Sequence, residues 1–226
     1  MNGIIKVDSH STALQAEQFT PTGARNGGVI VVAHGSDGMN EPWAAMIREY
    51  ANELAEQGFV AVIPHYFDKT GTRPGAGVFP EIPAQLPKWL QAVEDVAAYA
   101  RTLPGITPNK LGLLGFSLGG HICLRLRGIA AAVTEFFAPE FSELGGIGPA
   151  HTPAPFAQIH HGAADLLVPF SNATAIEGVL RQEGSKIEVF SYEGAGHGFA
   201  GADPNNATAR RSSKARTLAF FKEHLA

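Results

Sequence analysis

Cysteine is nearly absent: Cys123 is the only one in 226 residues. A single thiol excludes an intrachain disulfide and any multi-cysteine zinc site. Charge is sparse, since Asp, Glu, Lys and Arg make up 17% of the chain, below the usual share of about 25%. There is no run of basic residues and the formal net charge is −4, so nucleic acid is not an expected partner. No stretch approaches the roughly 18 apolar residues of a membrane span. The first residues lack a basic leader, an apolar core and a small-residue cleavage site, so the chain reads as cytoplasmic. At 45% hydrophobic residues it is not a disordered chain. The 26 Gly and 15 Pro follow no fixed repeat, which excludes a collagen-like chain.

What is there is alternation. Two short alternating segments, 4–7 and 14–19, predict an antiparallel hairpin or edge strands. Residues 29–33 form a β-branched run suited to a strand covered on both faces. Strands are then predicted at 59–63, 110–116, 129–137, 156–160 and 186–192. Helices are predicted between and after them, at 42–57, 84–103, 119–127, 171–183 and 207–224. Two long loops rich in Gly and Pro, 66–83 and 138–154, remain. This order predicts an α/β fold: a mostly parallel central sheet with helices on both faces and right-handed crossovers. No composition break or linker interrupts it, so residues 1–226 read as one domain, with no room for a large lid domain.

In such sheets ligands bind outside the carboxyl ends of the strands. The strongest signal there is Gly115-Phe116-Ser117-Leu118-Gly119, between a predicted strand and a predicted helix. That is the G-x-S-x-G nucleophile elbow, in which a tight strained turn projects the serine hydroxyl and the next helix presents free backbone N–H groups. A serine needs a neighbouring base. His197, in a glycine-rich loop after the last strand, is the candidate. The acid should lie between the two, and Asp165 fits, with Glu135 and Glu140 as competitors near the preceding strand end. The Leu118 and Ser36 amides are the candidate oxyanion donors. His34 reads first as a brace for the loop that carries Ser36, and second as a substrate contact. Arg73, in the first long loop, is a further candidate substrate contact.

Other signals point nowhere. Residues 196–201 match G-x-G-x-x-G, but only 25 residues remain after them and no strand follows, as a dinucleotide site requires. Cys123 reads as a buried small hydrophobe. His160 and His161 are adjacent, a poor spacing for joint metal binding. No metal or cofactor is expected.

Taken together, these residues resemble the dienelactone hydrolase family of the α/β-hydrolases over nearly the whole chain. The resemblance rests on residues 29–40, 58–64 and 113–120, on His161-Gly162 through Asp165, and on Tyr192-Glu193-Gly194-Ala195-Gly196-His197-Gly198-Phe199. It implies an α/β-hydrolase fold, a triad of Ser117, His197 and Asp165, and amide donors at Ser36 and Leu118. Three positions depart from the family pattern. Its typical members carry a cysteine where this chain has Ser117, a glutamate where it has Gly35, and an arginine where it has Gly201. The expected activity is therefore that of the family's broader esterases, on a small carboxylic ester or lactone. An amide- or peptide-cleaving enzyme and a non-catalytic binding protein are the alternatives. Oligomeric state is not legible.

Overall fold

Strand β3 (Val29–Ala33) is buried at all five positions. Its side chains alternate between two apolar layers, with Val29, Val31 and Ala33 in one and Ile30 and Val32 in the other. That is the consequence of a period of two in a strand covered on both faces. The computed structural model describes residues 3–150, 152 and 154–226; Met1 and Asn2, and His151 and Pro153 of the expected 138–154 loop, lie outside them.

Around β3 stand β1 (Gly3–Ser9), β2 (Thr12–Phe19), β4 (Val60–Pro64), β5 (Leu111–Phe116), β6 (Ala132–Phe136), β7 (Phe156–Gly162) and β8 (Lys186–Tyr192). They form one sheet in the order β1-β2-β4-β3-β5-β6-β7-β8. The β1–β2 and β2–β4 pairs are antiparallel and all others are parallel. The helices are α1 (Trp43–Glu56), α2 (Ile82–Arg101), α3 (Leu118–Arg125), α4 (Ser171–Gln182) and α5 (Pro204–Leu225). Helices α2, α3 and α4 cover one face, while α1 and α5 cover the other. This is the α/β-hydrolase arrangement. Among the described residues no helix is long and apolar enough to cross a membrane.

Element boundaries differ from the sequence reading where turn chemistry intervenes. Helix α2 begins at Ile82 and not at 84, because Pro83 falls in the first turn, where no intrahelical N–H is needed. Helix α5 begins at Pro204 and not at 207; the Asp203 side chain caps it by accepting from the Asn205 amide at 2.7 Å. The strand expected over 129–137 is shorter, since Arg127–Ile129 winds into a 3₁₀ turn first. The 66–83 segment is not an open loop. It holds 3₁₀ turns at Tyr66–Lys69 and Ala76–Glu81. Tyr66 and Phe67 are buried there against Trp89 of α2, and the Trp89 indole N–H donates to Thr70 Oγ at 2.9 Å.

Candidate functional site

Strands β3, β5, β7 and β8 all end at the same carboxyl edge of the sheet, and the segment after each carries polar residues. Strand β5 runs directly into Ser117, which takes φ 52° and ψ −118° before α3 begins. Such a backbone is rare for a residue with a side chain and is held here by its surroundings. The Ser117 amide donates to the Phe136 carbonyl at 2.9 Å. Gly115 and Gly119 are required by close approach. A Cβ on Gly115 would clash with the Gly119 carbonyl, and one on Gly119 with the carbonyls of Ala33 and His34.

Beyond β7 the chain turns at Gly162 to reach Asp165, and beyond β8 it turns at Gly194 and Gly196 to reach His197. These two loops lie backbone to backbone. The Ala164 amide donates to the Ala195 carbonyl at 3.0 Å, and the Ala163 amide to the Tyr192 carbonyl at 2.9 Å. One Asp165 oxygen accepts from the Leu167 and Val168 amides at 2.9 and 2.8 Å. The other accepts from His197 Nδ1 at 2.7 Å. That bond leaves the Nε2 lone pair of His197 facing Ser117, whose hydroxyl donates to it at 3.2 Å. Asp165 is 5% exposed. Burial works against its ionisation, but the hydrogen bonds from His197 and Val168 and the neighbouring imidazoles outweigh it and hold the carboxyl below its ordinary range.

Neighbouring groups do not compete for these partners. His161 stands behind Asp165 at 3.6 Å and donates from Nε2 to the Val168 carbonyl at 2.8 Å. Burial lowers its pKa, which keeps it neutral. Glu135 is buried under α3 and accepts from the Ala138 amide at 2.8 Å, away from His197. Burial raises its pKa to about 8, so it is a neutral acid at pH 7. Glu140 lies over Gly146. The structure thus joins Ser117, His197 and Asp165 in one hydrogen-bonded chain and leaves both rival carboxylates outside it.

The loop after β3 lies against the elbow: a Cβ on Gly35 would stand 3.4 Å from Ser117 Cβ and 3.3 Å from the Phe116 carbonyl. Its shape is held by its own bonds. The Gly38 amide donates to Gly35 at 3.0 Å, the Gly75 amide to the Ser36 carbonyl at 2.9 Å, and the Tyr66 hydroxyl to the His34 carbonyl at 2.7 Å. The Ser36 amide has no backbone acceptor among the described residues. Leu118, as the first residue of α3, has no intrahelical acceptor either. Both amides are therefore available beside Ser117.

Of the two candidate substrate contacts, neither lies in a cavity beside Ser117, and His34 takes the bracing position that was its first reading. His34 is 1% exposed, stacked on Tyr66 at 4.0 Å, and donates from Nδ1 to the Gly35 carbonyl at 2.8 Å. Burial pushes its pKa down to about 3, and it lines neither cavity beside Ser117. It braces the loop. Arg73 is exposed and lines neither cavity, while the following Pro74 packs close on Gly38.

Two cavities meet at Ser117. One of about 50 Å³ is lined by His197, Trp43, Met46 and Phe137 among others. The second, of about 330 Å³, is lined by Leu118, Phe79, Ile82 and Phe141 among others. Apart from Leu118, singled out for its amide, none of these apolar wall residues stood out in the sequence. Phe137 follows a strand end and Leu167 follows Asp165 by two, but nothing local separates them from core residues. Among the described residues no group of three or more His, Cys, Asp or Glu side chains is placed to hold a metal ion.

The sequence pattern of the dienelactone hydrolase family matches residues 14–225. The chain belongs to the dienelactone hydrolase family. Membership makes it a hydrolase acting on ester bonds. A Synechocystis protein provisionally named carboxymethylenebutenolidase is 26% identical over 189 residues, which is 76% of this chain and 75% of that one. Solved structures of similar fold include the dienelactone hydrolase-like promiscuous phosphotriesterase P91 from metagenomic libraries. It is 21% identical at a TM-score of 0.78, with 100% of this chain and 99% of that one covered. The thermophilic esterase Est2 of Thermogutta terrifontis is 21% identical at a TM-score of 0.73, covering 98% and 92%. At Gly35, the position where the family pattern has a glutamate, a Cβ would make only tight contacts with the elbow.

Proposed function

We propose that this member of the dienelactone hydrolase family acts as one domain, a serine esterase that cleaves a small carboxylic ester or lactone through an acyl-enzyme. The observation that carries the reading is the bond chain from Ser117 through His197 to Asp165, with 3.2 and 2.7 Å links. Ser117 Oγ attacks the ester carbonyl as its proton passes to His197 Nε2. Asp165 holds the Nδ1–H tautomer and stabilises the imidazolium. The Ser36 and Leu118 amides donate to the oxyanion of the tetrahedral intermediate, each such donor being worth roughly 10²–10³ in rate. His197 then returns the proton to the departing alkoxide oxygen. A water deprotonated by His197 attacks the acyl-enzyme, and Ser117 leaves with its proton restored.

The test is labelling with a fluorophosphonate, read by intact mass, alongside hydrolysis of short-chain esters. Wild-type protein should be labelled once, at Ser117, and Ser117→Ala should be neither labelled nor active. Equal labelling of the variant, or an unlabelled wild type, would overturn the mechanism.

A further inference from the structure

The two cavities beside Ser117 differ in one chemically decisive respect: His197 lines only the smaller. They share Ser36, Ser117 and Leu167, so an ester bound with its carbonyl at Ser117 has one cavity on either side of it. We propose that the acyl group of the substrate occupies the larger cavity and the leaving alcohol the smaller, so that the preferred substrates are esters of neutral apolar acids with small alcohols. The inference rests on the serine esterase reading above.

Proton delivery sets the direction. The departing oxygen must come within hydrogen-bond reach of the base that protonates it. That base is His197, whose Nε2 stands 3.2 Å from Ser117 Oγ. The alcohol half therefore lies on the His197 side, between Trp43, Met46 and Phe137. The acyl half points the other way, past Leu118 toward Phe79, Ile82 and Phe141.

Size and polarity then choose the substrate. The acyl side offers about 330 Å³ and the alcohol side about 50 Å³. No charged side chain lines the larger cavity. A carboxylate carried on the acyl group would find no cation there and would lose its hydration. The larger cavity is also built in advance. His121 Nδ1 donates to the Pro139 carbonyl at 2.9 Å, and the His121 ring meets the edge of Phe141 at 4.9 Å, so two wall residues are tied to α3. At its mouth Phe79 is 47% and Leu167 59% exposed. An apolar acyl chain would cover both.

The experiment follows acid release by pH-stat from three sets of substrates with the wild-type enzyme. Across methyl acetate, butanoate, hexanoate and octanoate, kcat/KM should rise, by about tenfold or more in all. Across methyl, butyl and hexyl acetate it should stay level or fall. Monomethyl glutarate should be at least about tenfold slower than methyl hexanoate. Ile82→Trp should lower the octanoate-to-acetate ratio, and Trp43→Ala should raise the hexyl-to-methyl ratio. A preference for long alcohols over long acids, or equal rates for the charged and neutral acyl groups, would overturn the assignment while leaving the esterase reading intact. If no ester is turned over and Ser117 is not labelled by a fluorophosphonate, the esterase reading itself fails.

Discussion

Gly162 lies so close to Ala195 that a Cβ on it would clash with the Ala195 carbonyl oxygen. That contact welds the turn carrying Asp165 to the turn carrying His197. It explains how two loops 32 residues apart hold a 2.7 Å hydrogen bond between their side chains. Gly162→Ala should push the loops apart. Because a misplacement of about 1 Å can cost about 10²-fold, kcat/KM should fall by about that factor. Stability should drop by about 1–3 kcal/mol, the usual cost of overpacking. Ester hydrolysis and urea denaturation check the two effects separately, and an unchanged kcat/KM would mean that the loops do not depend on this contact.

Asp165→Asn keeps the shape of the side chain but removes the charge that holds His197 in its Nδ1–H tautomer. The expected loss in kcat is about 10³–10⁴-fold. Fluorophosphonate labelling should slow in parallel, since Ser117 would lose its proton acceptor. A loss below about tenfold would move the acid role away from Asp165, even though Glu135 and Glu140 both lie elsewhere.

Glu17 on β2 ties the antiparallel edge to α1. It accepts from Arg48 at 2.7 and 2.8 Å and from His65 Nε2 at 3.0 Å. Burial opposes its ionisation, but these bonds outweigh it and lower its pKa from 4.5 to about 2. Between those values the unfolded chain binds a proton that the folded chain does not. The stabilisation is therefore complete above the unfolded value and is lost as pH falls through the folded one. Wild-type Tm should decline from about pH 5 to about pH 2. Glu17→Gln should start with a lower Tm at neutral pH and show a flatter decline in that window. Parallel slopes for the two proteins would rule Glu17 out as the source.

Arg127 is fully buried in the 3₁₀ turn that follows α3. It donates to the carbonyls of Leu124 at 2.6 Å and Ile147 at 3.0 Å, to the Gly148 carbonyl, and to the Glu183 carboxylate at 2.8 Å. It therefore pins the 138–154 segment, which supplies the Pro139 and Phe141 wall of the larger cavity, to α3 and α4. Arg127→Met would leave Glu183 with only the Ala150 amide at 2.9 Å and strip the buried carbonyls of their donor, and should cost about 3–5 kcal/mol. Limited proteolysis should then cut within 138–154 first. Protection equal to wild type would show that the segment is held by its apolar contacts alone.

Much was legible in the sequence because its signals are local. A buried β-branched run such as 29–33 can only be satisfied in a covered strand, and the elbow glycines at 115 and 119 mark the place where backbone meets backbone around Ser117. His197 could be picked out because its loop is rich in glycine and comes last in the chain. The 3₁₀ turns of 66–83 escaped notice because Gly and Pro there read as open loop, whereas Tyr66 and Phe67 are drawn inward by Trp89. What stands beside His197 was a tertiary decision. Asp165 is the favoured acid in one dimension, but spacing alone leaves Glu135 and Glu140 open as competitors. The sheet turns Glu135 under α3, where burial keeps it neutral, while the Gly162–Ala195 contact brings Asp165 alone to the imidazole. His34 was likewise settled by packing, since a histidine one residue after a strand faces solvent or core according to what covers it, and here Tyr66 does. The two cavities were the least legible of all. Their walls come from residues as distant as Trp43 and His197, chosen by proximity in space and not by any pattern along the chain.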